Sequence, residues 1–77
     1  MQNEMYRVPL EPSTFAGYYF MSIANQIYKV FGIILFALEV VVNNETKVFL
    51  NPSDYLFEEY PHFGYVIAQQ LPDFEAL

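Results

Sequence analysis

The chain has 77 residues, 55% of them hydrophobic, no cysteine and a formal net charge of −6. That length allows one domain, 1–77, which buries roughly 60–65% of its unfolded surface. The apolar content excludes intrinsic disorder, the missing thiols exclude disulfides and thiolate metal centres, and three basic residues against nine acidic ones disfavour nucleic acid and anionic membranes as partners.

The N-terminal stretch to Pro12 reads as extended. Pro9 and Pro12 interrupt any helix. Tyr6, Val8 and Leu10 alternate with Arg7, Pro9 and Glu11, an edge-strand pattern. The segment lacks the basic and apolar regions of a signal peptide. With no disulfide in so short a chain, a cytoplasmic setting is expected.

A main helix is expected over about 14–31, capped by Ser13 or Thr14. Phe15, Tyr19, Ile23, Ile27 and Val30 follow steps of three and four. So do Ala16, Phe20, Ala24, Ile27 and Phe31, which makes a broad apolar face. Gly32 suits the left-handed position that ends a helix, and Lys29 complements its carbonyl end.

Val30–Val42 is the most apolar run, broken only by Gly32 and Glu39. Its uninterrupted part is far shorter than the ~20 residues of a membrane span. Its β-branched close predicts a strand over about 33–42, although helical steps through Ile27, Phe31, Ile34, Leu38 and Val41 keep a continued helix as a rival. As a strand it is apolar on both faces. One carries Ile34, Phe36, Leu38, Val40 and Val42; the other carries Ile33, Leu35, Ala37, Glu39 and Val41. So short a chain has little with which to cover the second face.

Asn43 and Asn44 tolerate left-handed backbone and predict a hairpin to a second strand over about 46–50. With a three-residue loop, Val41 faces Lys47 and Glu39 lies diagonal to that lysine. Pro52, Ser53 and Asp54 suggest a short second helix over about 53–60, stopped by Pro61. His62, Phe63 and Gly64 read as a turn, and 65–68 as a third strand, with a short helix as the alternative. Pro72 ends the pattern, with Phe74 and Leu77 able to dock. The fold class is therefore α+β: one main helix packed on a small, mostly antiparallel sheet, with a short second helix.

Residues able to carry chemistry are few. On a helix, Asp54, Glu58 and His62 would share a face, and Glu59 with His62 has the E-x-x-H spacing of carboxylate-bridged metal sites. Pro61 interrupts that helix, and the partner motifs such a site needs are missing, so a solvated acidic face is the simpler reading and no metal or other cofactor is expected. Ser13, Ser22 and Ser53 sit in no nucleophile motif, and Gly17, Gly32 and Gly64 form no phosphate loop. Glu39 draws attention because it interrupts the apolar run, where a carboxylate needs a partner, water or an interface.

These features describe a non-enzymatic protein-interaction domain. It would self-associate as a homodimer through an apolar strand face, with Glu39, Asp54, Glu58, Glu59 and His62 as candidate interaction residues. The alternative is a small viral or mobile-element inhibitor or accessory protein whose acidic groups bind a basic partner surface.

Overall fold

The computed structural model describes residues 3–59 and 61–69. Six elements follow one another: β1 (Glu4–Leu10), α1 (Pro12–Phe15), α2 (Phe20–Phe31), β2 (Ile34–Val42), β3 (Glu45–Leu50) and β4 (His62–Ala68). The four strands form one sheet in the order β1-β4-β2-β3, and every neighbouring pair is antiparallel. The α+β class follows. Because β1 and β2 both run against β4, they point the same way. Strands so oriented need a long crossover, which α1 and α2 supply while β4 fills the slot between them.

One face of the sheet and the buried side of the helices make the core. Val8 and Leu10 from β1, Leu35 and Leu38 from β2 and Val66 from β4 pack with Phe15, Phe20, Ile23, Ile27 and Phe57. Gly64 lies among them. A Cβ there would stand 2.8 Å from Leu35 Cδ1 and 3.1 Å from Leu10 Cδ1, so the two leucines occupy the space a side chain would take.

The helix ends where expected. Gly32 adopts the left-handed conformation (φ 68°), and its N–H donates to the Tyr28 carbonyl. The rival in which the helix continues to Val42 is excluded by β2. The helix start is different. Ala16 leaves helical geometry and Gly17 takes a φ of 89°, so the expected helix over 14–31 divides into α1 and α2. Tyr19 and Val30, read as core positions, are exposed.

The same break explains the region after β3. The second helix expected at about 53–60 does not form; the short helix is α1. Here the backbone spends its hydrogen bonds on the linker between α1 and α2. Gly17 N–H donates to Phe57 O, Phe57 N–H to Tyr18 O and Phe20 N–H to Tyr55 O. Tyr19 and Leu56 form an isolated antiparallel bridge. This extended docking satisfies donors that a broken helix leaves exposed, and it carries Phe57 into the core.

Strand boundaries are also revised. β4 begins at His62, so 62–64 is strand rather than turn. The hairpin turn holds only Asn43 and Asn44, both left-handed (φ 53° and 64°), with Val42 opposite Glu45. Val40 therefore faces Lys47, and Val41 faces Thr46. A register shift between Leu35 and Ala37 makes Phe36 an extra residue. That bulge lets Leu35 join Leu38 and Val40 on the core side, against the strict alternation read from the sequence. The last residue of the helix expected over 53–60 and the docking of Phe74 and Leu77 fall outside the described residues. No helix of the described residues is long and apolar enough to cross a membrane.

Candidate interaction surface

The outer face of the sheet is defined by register. Met5, Arg7 and Pro9 from β1 stand beside Ile67, Tyr65 and Phe63 from β4. Next come Ile34, Ala37, Glu39 and Val41 from β2, then Leu50, Val48 and Thr46 from β3. The core helices lie on the opposite face.

Glu39 sits at the middle of this outer face. Its partner is Arg7, not Lys47. The short hairpin places Val48 opposite Glu39, while Lys47 points to the other side of the sheet. Arg7 reaches across β4 and engages both carboxylate oxygens: Nη2 pairs with Oε2, and Nε stands 3.4 Å from Oε1. The Tyr65 hydroxyl donates to Oε1 at 2.7 Å. The Arg7 guanidinium carbon lies 3.7 Å above the Phe63 ring centre, a stacked geometry that suits a planar cation. The Glu39 side chain is 12% exposed, that of Arg7 47%.

The network sets the protonation of its members. The Arg7 hydrogen bond, then that from Tyr65, holds the Glu39 carboxyl below its ordinary range against an opposing desolvation effect. The hydrogen bond to Glu39 raises the Tyr65 phenol, with desolvation acting the same way. Three strands thus cooperate to keep one carboxylate ionised, a structural use of charge rather than the raised pKa of a general acid.

His62 is in a different place. It lies on the core side of β4 and is 2% exposed. The Tyr55 hydroxyl is 2.7 Å from its Nε2, and the Phe57 ring centre stands 4.9 Å from that of His62. The imidazole is a packed core group on the face opposite Glu39. Asp54, Glu58 and Glu59 are exposed in the non-helical segment between β3 and β4. The structure does not bring them onto one helical face with His62. Among the described residues no cluster of three or more His, Asp or Glu side chains could hold a metal ion.

Two further surfaces stand out. Thr14, Phe15, Tyr18, Ser22, Ile23, Gln26 and Ile27 line a half-open cleft of about 410 Å³ between the helices. At the other side of the molecule, all six residues of β3 are exposed. Val48 is 55% and Leu50 77% exposed, and Phe49 is open apart from a stacked contact with Tyr55 at 5.9 Å. Helix α2, with 12 residues, is about 18 Å long. The nine residues of β2 extend about 30 Å. The helix cannot cover the whole sheet, and among the described residues β3 stays exposed along its length, with the Phe49 ring against Tyr55.

Nothing in the sequence alone singles out Arg7, Phe63 or Tyr65 as partners of Glu39. The sole hint was that Arg7 lies mid-strand in an alternating segment; only the β1-β4-β2 order brings it to Glu39. Comparison with protein-family models, with curated proteins and with solved structures gives no match to this chain.

Proposed function

We propose that this is a small non-enzymatic protein-interaction domain that self-associates through the exposed, apolar strand β3 that borders its sheet. One observation carries the reading. β3 contributes Val48, Phe49 and Leu50, yet every one of its residues is exposed. An edge strand with so many exposed apolar side chains is costly to leave in water and is the kind of element to which a second chain adds.

The centre of the outer face is a poorer contact. Glu39, Arg7 and Tyr65 already satisfy one another. Covering a half-exposed ion pair costs desolvation that a partner must offset, and charged groups are depleted from interface cores. The favourable contact is displaced from the middle of the face toward β3, where Glu45 and Lys47 balance each other in charge and the remaining side chains carry none.

Light scattering over a concentration series tests this. The expected result is a rise from the 9.0 kDa monomer toward twice that mass, steeper at higher salt because screening relieves repulsion between two acidic chains. A strict monomer at millimolar concentration would sink the reading.

A second reading rests on the exposed acids Asp54, Glu58 and Glu59, carried on one segment of a chain with net charge −6. They suit an accessory protein that binds a basic surface. Added salt separates the two readings: it weakens contact with a basic partner and strengthens self-association.

A further inference from the structure

Resting on the self-association just described, we infer how two copies meet. Their β3 strands pair edge to edge, antiparallel, about a two-fold axis through Val48, and the two sheets become one.

The argument begins at the hairpin. In a two-residue turn with both residues left-handed, the closing pair is hydrogen-bonded. That pair is Val42 with Glu45. Bonding alternates along an antiparallel ladder, so Glu45, Lys47 and Phe49 direct their backbone groups at β2. Asn51 continues this set, its N–H donating to Phe36 O at 2.7 Å. The backbone N–H and C=O groups of Thr46, Val48 and Leu50 consequently point away from β2. Among the described residues no strand lies beyond β3.

Symmetry then restricts the register. A two-fold axis that pairs like edges antiparallel stands perpendicular to the sheet and keeps each face on its own side. Residues opposite one another must share a face, which leaves only registers shifted by two positions in their pairing. Centring the axis on Val48 sets Thr46 opposite the partner's Leu50 and Lys47 opposite the partner's Phe49. Every outward group then finds a mate, giving about six hydrogen bonds. Centring on Lys47 brings two ammonium groups face to face and runs Leu50 into the partner's turn, leaving about four bonds. Centring on Phe49 runs Thr46 against the partner's Pro52, which has no N–H, again leaving about four bonds.

The Val48 register is also the chemically matched one. On the outer face it sets Val48 beside Val48 and Leu50 beside Thr46, so that the most exposed apolar side chains of the strand gain lateral contacts. On the other face each Lys47 lies beside a Phe49 ring, a favourable pairing of cation and aromatic. At the opposite border of the sheet, β1 carries Pro9 within the strand, and a proline blunts such pairing. β3 has none. The second copy is therefore the occupant this edge fits, and the product is an eight-stranded sheet in the order 1-4-2-3-3-2-4-1.

The chain lacks cysteine, so single thiols can be placed without background. Val48→Cys, Thr46→Cys and Leu50→Cys are treated with a bis-maleimide of about 8 Å reach. In the Val48 register the two Val48 Cα atoms stand about 5.5 Å apart. Each Thr46 or Leu50 is offset from its own copy by four residues, about 14 Å along the strand. Val48→Cys is expected to form covalent dimer at least tenfold faster than either of the others. A mixture of Thr46→Cys and Leu50→Cys is expected to cross-link as mixed dimer. If light scattering shows a dimer but Val48→Cys reacts no faster than the flanking variants, the edge geometry is overturned and self-association stands. If the protein is monomeric and none of the three cross-links, both fall, and an extended segment of another protein becomes the occupant of the edge.

Discussion

Two leucines of equal chemistry in opposite environments test the assignment of the core. Leu38 on β2 is 0% exposed and Leu50 on β3 is 77% exposed. Replacing either with alanine removes the same atoms. At Leu38 the loss adds a cavity to the transfer free energy, and buried leucine truncations cost about 2.7–5 kcal/mol. Gly64 lies directly opposite Leu38 and has no side chain to lean into the void; Leu35 and Leu10 already crowd it. Collapse is limited, which places the cost near 4 kcal/mol. A domain of this size has roughly 4–12 kcal/mol in total, so Leu38→Ala stands near the limit of folding, with a melting temperature lower by about 15–30 °C. Leu50→Ala loses little buried area and should change stability by no more than about 0.5 kcal/mol. Urea denaturation followed by circular dichroism at low micromolar concentration measures both. A loss of 2 kcal/mol or more at Leu50, or less than 1 at Leu38, would refute the division into covered and bare surfaces. At high concentration the wild type should gain stability by mass action, and Leu50→Ala should gain less.

Two more outcomes follow from the geometry. Because the folded protein holds Glu39 below its ordinary carboxyl range, its ionised form contributes stability that is present above that range and lost as pH falls through the lowered value. The melting temperature of wild type should therefore exceed that of Glu39→Gln at neutral pH and converge with it in acid; a difference indifferent to pH would contradict the network. Gly64→Ala forces a methyl against Leu35 and Leu10 and should cost about 1–3 kcal/mol as overpacking, measured by the same denaturation; a neutral or stabilising result would show that the two leucines yield freely.

The legible parts of the fold are those set by local chemistry. Gly32 marks the end of a helix because only a left-handed residue closes it there. Asn43 and Asn44 mark a hairpin for the same reason. β2 is readable from its β-branched residues. What sequence reasoning misjudged depends on tertiary contacts. Gly17 divides the helix because 55–57 supplies hydrogen bonds to the exposed linker, and that same exchange removes the helix expected at 53–60. The bulge at Phe36 leaves no mark in the alternation, yet it decides which face Leu35 joins. Glu39 needs a partner because it interrupts an apolar strand. The identity of that partner is not legible because Arg7 is 32 positions away, and only the insertion of β4 between β1 and β2 brings them within reach. The spacing of His62 to Glu59 has meaning only on a helix, and His62 lies on β4.

The placement of β4 has a consequence for the order in which the fold can arise. β4 occupies an interior position of the sheet, pairing Glu4 with Ala68 at one side and Val40 with His62 at the other. Of the described strands it is also the last to leave the ribosome. Until residue 68 has emerged, β1 and β2 have no mate for the edges they will share with it, and only helix α2 and the β2–β3 hairpin can form from local contacts. Closure of the long loop between β1 and β4 then completes the sheet in one late step. During synthesis the chain has open edges on β1, β2 and β3 at once, an interval in which like chains on neighbouring ribosomes can pair prematurely.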